Sequence, residues 1–171
     1  MRRLLILIGS LFFFHWSASL QAQEPEYDFT SLYINEVEVF APFTHREMVN
    51  HFGEPVAVYW AADTFYPLIY EYRRADGGSK SEFALDPSDR TLCAFWIRDS
   101  RFVINDFIRI GDPVSKVPLM GGTWEDRPNE DGTGGSMVWK PVSWEGGGFI
   151  SCPAFHYNEY RNITSIELHN D

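Results

Sequence analysis

Two stretches of this 171-residue chain carry the same punctuation at the same interval, and they limit its architecture more than any other feature. Phe43-Thr44-His45-Arg46-Glu47-Met48-Val49-Asn50-His51-Phe52-Gly53-Glu54-Pro55 reads as one short helix. Thr44 is a good N-cap, and Glu47 stands three residues on, where a capping box needs a carboxylate to reach back. Gly53 and Pro55 end the helix. The echo is Ile110 to Gly121, with Asp112 expected as the cap, Pro113 as the first helical residue and Gly121 as the stop. Thr44/Asp112, Val49/Val117, Phe52/Met120 and Gly53/Gly121 are all 68 positions apart. A cap, an apolar pair and a stop at one interval predict a duplicated unit.

The segment after each helix reads as antiparallel sheet. In the first half, strands are expected over Pro55–Trp60, Tyr66–Arg73, Ser81–Leu85 and Thr91–Ile97. Asp76-Gly77-Gly78 supplies the tight turn between the second and third. In the second half, strands are expected over Met137–Val142, Phe149–Cys152 and Ile163–Leu168, after an acidic, glycine-rich loop from Trp124 to Gly135. The closing strands align at an interval of 71, as a three-residue insertion would cause. The expected class is therefore α+β, with two tandem repeats, each a short helical element followed by an antiparallel meander, over residues 32–103 and 104–171.

Ahead of these units, Arg2 and Arg3, the apolar run Leu4 to Trp16 and the small residues Ser17, Ala18, Ser19 and Ala22 have the form of an export signal over 1–22. The run is too short for a membrane span. Residues 23–31 read as a flexible leader, and the product as periplasmic or secreted. The formal net charge is −10, and losing Arg2 and Arg3 makes it more negative still. That balance repels phosphate backbones and anionic lipid, so no nucleic acid and no membrane is expected as a partner. Cys93 and Cys152 are either bridged, as an oxidising compartment permits, or two separate buried thiols.

The helix-ending run Val49 to Pro55, the run Ile108-Arg109-Ile110-Gly111-Asp112-Pro113-Val114-Ser115-Lys116-Val117 and the closing strand Ile163–Leu168 resemble the β-lactamase-inhibitor-protein-like and BamE-type envelope superfamily. The resemblance implies helix-plus-sheet units, singly or in tandem. In the tandem inhibitors, the open sheet face and a hairpin tip of the first half grip a protein partner, and here that tip would carry Asp76. This chain differs in having one cysteine per half and no cysteine to acylate after the signal.

Chemical motifs are sparse. His45 and His51 are six apart and diverge on a helix, so they make no zinc pair. Glu125 to Gly132 fails as a calcium loop, with Arg127 and Val138 where carboxylates are required. No nucleophile elbow, phosphate-binding loop or zinc-protease motif occurs. No cofactor is expected. His156 with Glu159 is the one acid/base pair on which a small hydrolase reading rests.

The main functional expectation comes from strand parity. Aligning the closing strands places Phe95 with Ile166 and Ile97 with Leu168 in the core, and sends Trp96 and Glu167 to the opposite face. The interval of 68 matches Glu71 with Trp139. A wet face holding Glu71, Arg73, Glu82 and Glu167 would then expose Trp96 and Trp139, the residue type of a protein-binding patch. A register shift of one residue sends the rings into the core instead. The expectation is an exported, non-enzymatic binding or assembly module for an envelope or secreted protein, using Trp96, Trp139, Glu71, Arg73 and Asp76. A glycan ligand is the alternative the tryptophans also allow.

Overall fold

The computed structural model describes residues 26–61, 68–74, 77–142, 144 and 152–169. The expected export signal, Asp76 at the hairpin tip and, apart from Cys152, the strand expected over Phe149–Cys152 lie outside them. The first element of the described residues is a two-stranded hairpin, β1 (Tyr33–Ile34) and β2 (Val37–Glu38), followed by helix α1 (His45–Phe52). Four strands come next: β3 (Ala57–Trp60), β4 (Leu68–Arg73), β5 (Lys80–Leu85) and β6 (Leu92–Ile97). A 3₁₀ helix (Val114–Met120) precedes β7 (Thr123–Pro128), β8 (Gly134–Lys140), β9 (Ala154–Asn158) and β10 (Ile163–Leu168).

Strands β3 to β10 form one antiparallel sheet in the order β3-β4-β5-β6-β10-β9-β8-β7. Each half lays its strands down in sequence order from edge to centre. The two closing strands, β6 and β10, pair with each other in the middle, with Ile97 opposite Ile166, Trp96 opposite Glu167 and Phe95 opposite Leu168. Phe95, Ile97, Ile166 and Leu168 are fully buried, on the core face where parity places them.

Helix α1 is capped as its sequence dictates. The Glu47 N–H donates to Thr44 Oγ1 at 3.2 Å, and Glu47 Oε2 accepts from the Thr44 N–H at 2.8 Å. Its apolar stripe buries Met48 and Phe52. The second helical element departs from expectation. It is a 3₁₀ helix with Pro113 at its N-cap and no side-chain cap bond. Asp112 Oδ2 is turned to the Arg109 N–H and to Lys116 Nζ instead. Pro118 within the element has no N–H to give an α-helical bond, which favours the tighter, shorter form. Both elements nonetheless stop on a glycine of one backbone conformation, Gly53 at φ 81° and Gly121 at φ 75°, a region side chains rarely adopt.

The core lies between one face of the sheet and a layer made of the hairpin, the two helical elements and the segment around Phe102, Ile104 and Ile108. Phe52, Tyr72, Phe83 and Phe102 form a cluster of rings with centroids 4.6 to 6.1 Å apart. Each such side chain contributes about 2 kcal/mol of burial. Within the layer, the turn residues Asn35 and Asn105 join the two halves around an antiparallel bridge between Ile34 and Ile104.

Two further expectations change. The acidic stretch after Trp124 is not a loop but the hairpin β7–β8, turning at Asn129 to Thr133. The leader is pinned where it is described: the Glu26 and Tyr27 N–H groups donate to the Leu119 carbonyl and that of Phe29 to Met120. Tyr27 and Phe29 stack at 5.1 Å, and both rings face Phe107.

Candidate functional site

The face of the sheet turned away from the core is the candidate site. Among the described residues, the helical elements and the hairpin pack on the other side. A single row crosses this far face through all eight strands: Ala57, Glu71, Glu82, Trp96, Glu167, Ala154, Val138 and Glu125. Trp96 therefore sits at the centre of the sheet with a glutamate on each neighbouring strand. It is half-buried against a small cluster of Ile69, Ala84 and Ala94.

Beside it lies a recess of about 350 Å³ lined by Tyr59, Ala61, Ile69, Glu82, Trp96 and Arg98. The Tyr59 hydroxyl donates to Glu82 Oε1 at 2.8 Å, which fixes the ring as one wall. Partial burial, and then the carboxylate it donates to, raise the Tyr59 pKa above the usual phenol value. Lys80 Nζ reaches the same Glu82 oxygen at 2.7 Å and lies 3.5 Å from Glu71 Oε2. Opposite, Glu167 lies between two imidazoles, His156 Nε2 at 2.6 Å and His169 Nε2 at 3.6 Å. The His169 ring meets Trp96 edge-on at 5.1 Å.

The residues expected to form the patch are only partly brought together. Trp96, Glu71 and Arg73 share the far face, but Glu71 is not wet. It is 7 % exposed, roofed by Arg73, whose Nε donates to it at 2.9 Å, and by Lys80. Those two cations, the Arg73 bond foremost, hold its carboxyl below the usual glutamate range. Trp139, expected on this face, is instead fully buried on the core face, where its indole N–H donates to the Gly121 carbonyl at 2.8 Å. From Phe95 the ladders lead through Phe83 to Tyr70, and from Ile166 through Phe155 to Met137. Two residues further along, Trp139 stands where Tyr72 stands, one place from the match with Glu71.

Tyr59, Glu82 and Arg98 were not among the expected site residues. The alternation of Glu82 with Phe83, and of Tyr59 with its neighbours, carried the signal, but only pairing with β6 shows that they gather at Trp96. His156 is held by Glu167 rather than by Glu159, which lies in the exposed turn after β9. Cys93 and Cys152 are both free and buried, and burial pushes the Cys93 thiol up to about 11. Among the described residues, no group of three or more His, Cys, Asp or Glu side chains is placed to hold a metal ion. No described helix is long and apolar enough to cross a membrane.

Comparison of the chain with protein-family models, with curated proteins and with solved structures finds no match.

Proposed function

We propose that the chain is an exported binding module of the cell envelope, built from two tandem helix-plus-sheet repeats, that holds a protein partner on its far sheet face. The observation that carries this reading is Trp96, half-buried at the middle of that face beside the recess walled by Tyr59 and Ile69. Aromatic groups fixed on strands lose little entropy on binding, and a central aromatic with a charged surround is the arrangement that concentrates binding energy. Glu82 and Arg98 on the rim give one side chain of the partner a polar anchor of either sign.

The tandem origin is supported by the mirrored strand order, the paired closing strands and the matched glycine stops. In such a duplication each unit buries its own helical element, while the join between units places Trp96 and Glu167 at the centre of a surface neither unit has alone.

The test is affinity capture from envelope extract with the secreted chain and its Trp96→Ala variant in parallel. A protein retained by the first and lost by the second supports the reading. An identical retained set, or none from either folded chain, contradicts it.

A further inference from the structure

The two edges of the sheet are built differently. β7 reads Thr-Trp-Glu-Asp-Arg-Pro, with charged side chains along it and a proline at its end, the usual guards against edge-to-edge pairing. β3 reads Ala-Val-Tyr-Trp and has neither charge nor proline. Val56, Val58 and Trp60 are 58, 43 and 65 % exposed. Val58 and Trp60 pair with Tyr70 and Leu68, so they continue the core-side row beyond the last strand that the helical layer covers. Among the described residues, β3 has a strand on one side only. Every second backbone N–H and C=O of an edge strand is directed outward, a template for one more strand.

We infer that β3 is the pairing edge of a homodimer, in which two copies join β3 to β3 antiparallel about a two-fold axis at Val58 and form one sixteen-stranded sheet. Side-chain size and charge select a second copy as the occupant. With Val58 opposite its own counterpart, Val56 of one protomer faces Trp60 of the other, and Ala57 faces Tyr59. Large residues meet smaller ones on both faces, as an isologous contact requires. The chain carries a net charge of −10 and repels itself over most of its surface, but Ala57 to Trp60 brings no charge against its copy. The guarded β7 edge stops growth at two chains. The inference does not rest on a partner at Trp96, and Tyr59 belongs both to this edge and to the recess beside that residue.

The contact is short, and interfaces of this size belong to the weak class, so sedimentation equilibrium is run from about 10 μM to 1 mM. The expected result is a mass rising toward twice that of the chain. Val58→Lys, at an exposed edge position, is expected to hold the mass at one chain with an unchanged melting temperature, while Trp124→Lys on the other edge leaves dimerisation as it was. A monomer throughout the range, a dimer indifferent to Val58→Lys, or a dimer lost on Trp124→Lys overturns the inference. Protection of the β3 amides only when extract is added would give the edge to a foreign strand, and would overturn self-pairing too.

Discussion

Asn35 and Asn105 hold each other's turns by the same bond made twice. Asn35 Oδ1 accepts the Val103 N–H at 2.8 Å, and Asn105 Oδ1 accepts the Tyr33 N–H at 2.7 Å. The backbone repeats the exchange, the Asn35 N–H to the Val103 carbonyl and the Asn105 N–H to the Tyr33 carbonyl, each at 3.0 Å. Both residues are left-handed, at φ 47° and 50°, a region asparagine enters more readily than most residues. Asn105→Ala removes the bond to Tyr33 and a second to the Ser31 carbonyl, and keeps the strained backbone. A loss of about 2 to 3 kcal/mol in urea unfolding is expected. Asn35→Ala, with one such bond fewer, is expected to lose less. Unfolding curves that overlay the wild type would mean the turns do not fasten the halves.

Trp96, Trp139 and Tyr72 separate binding from folding. Trp96→Ala is expected to cost no more than about 1.5 kcal/mol, because its ring is half-buried over small neighbours. Trp139→Phe empties part of the core and leaves the Gly121 carbonyl unpaired, and should cost about 2 to 4 kcal/mol. Tyr72 occupies the matching place in the first half, but its buried hydroxyl has no hydrogen-bond partner among the described residues. Tyr72→Phe is expected to be neutral or to stabilise by about 1 kcal/mol. Destabilisation by that variant would show a partner for the hydroxyl in solution.

Acidification probes the roof over Glu71. Its carboxyl titrates below the ordinary value of 4.5 in the folded chain, so the folded state binds protons less readily than the unfolded one. The stabilisation is complete above that ordinary value and is lost as pH falls through the lowered one. Melting temperature should decline below about pH 4.5, and Glu71→Gln should decline less over the same window. Glu47, lowered by its bonds to Thr44, keeps part of the decline in the variant. Equal slopes in both proteins would contradict the account.

Both thiols should be silent in the folded chain. Cys93 and Cys152 are buried, and burial raises both above the usual thiol value, which suppresses the reactive thiolate. Titration with a thiol reagent without reductant is expected to find neither in the native protein and both after unfolding. No thiol after unfolding would show a bridge instead.

Much of the scaffold was legible because it depends on local rules. The Thr44/Glu47 cap, the stops at Gly53 and Gly121 and the period-two pattern of the closing strands need only neighbouring residues, and they placed Trp96 on the correct face. Trp139 was misplaced because side-chain parity inverts with one residue of offset. The interval is 68 at the glycine stops and 71 at the closing strands, but the ladders match Tyr72 with Trp139, an interval of 67. The strand β7 was hidden because an edge strand guarded by Glu125, Asp126 and Arg127 shows no apolar alternation. Ile34-Asn35-Glu36 and Ile104-Asn105-Asp106 did carry a signal, the same turn at an interval of 70. Its meaning depends on the two turns meeting in space, which no local pattern displays.

The partner proposed for the far face at Trp96 is tested most directly by crosslinking. A photo-crosslinking amino acid in place of Arg98, at the rim of the recess, is compared with the same group in place of Tyr160, 74 % exposed in the turn after β9. Irradiation in envelope extract should join one protein to the chain labelled at position 98 and none to that labelled at position 160. Crosslinking from position 160 alone, or from neither position in folded chains, would contradict the account.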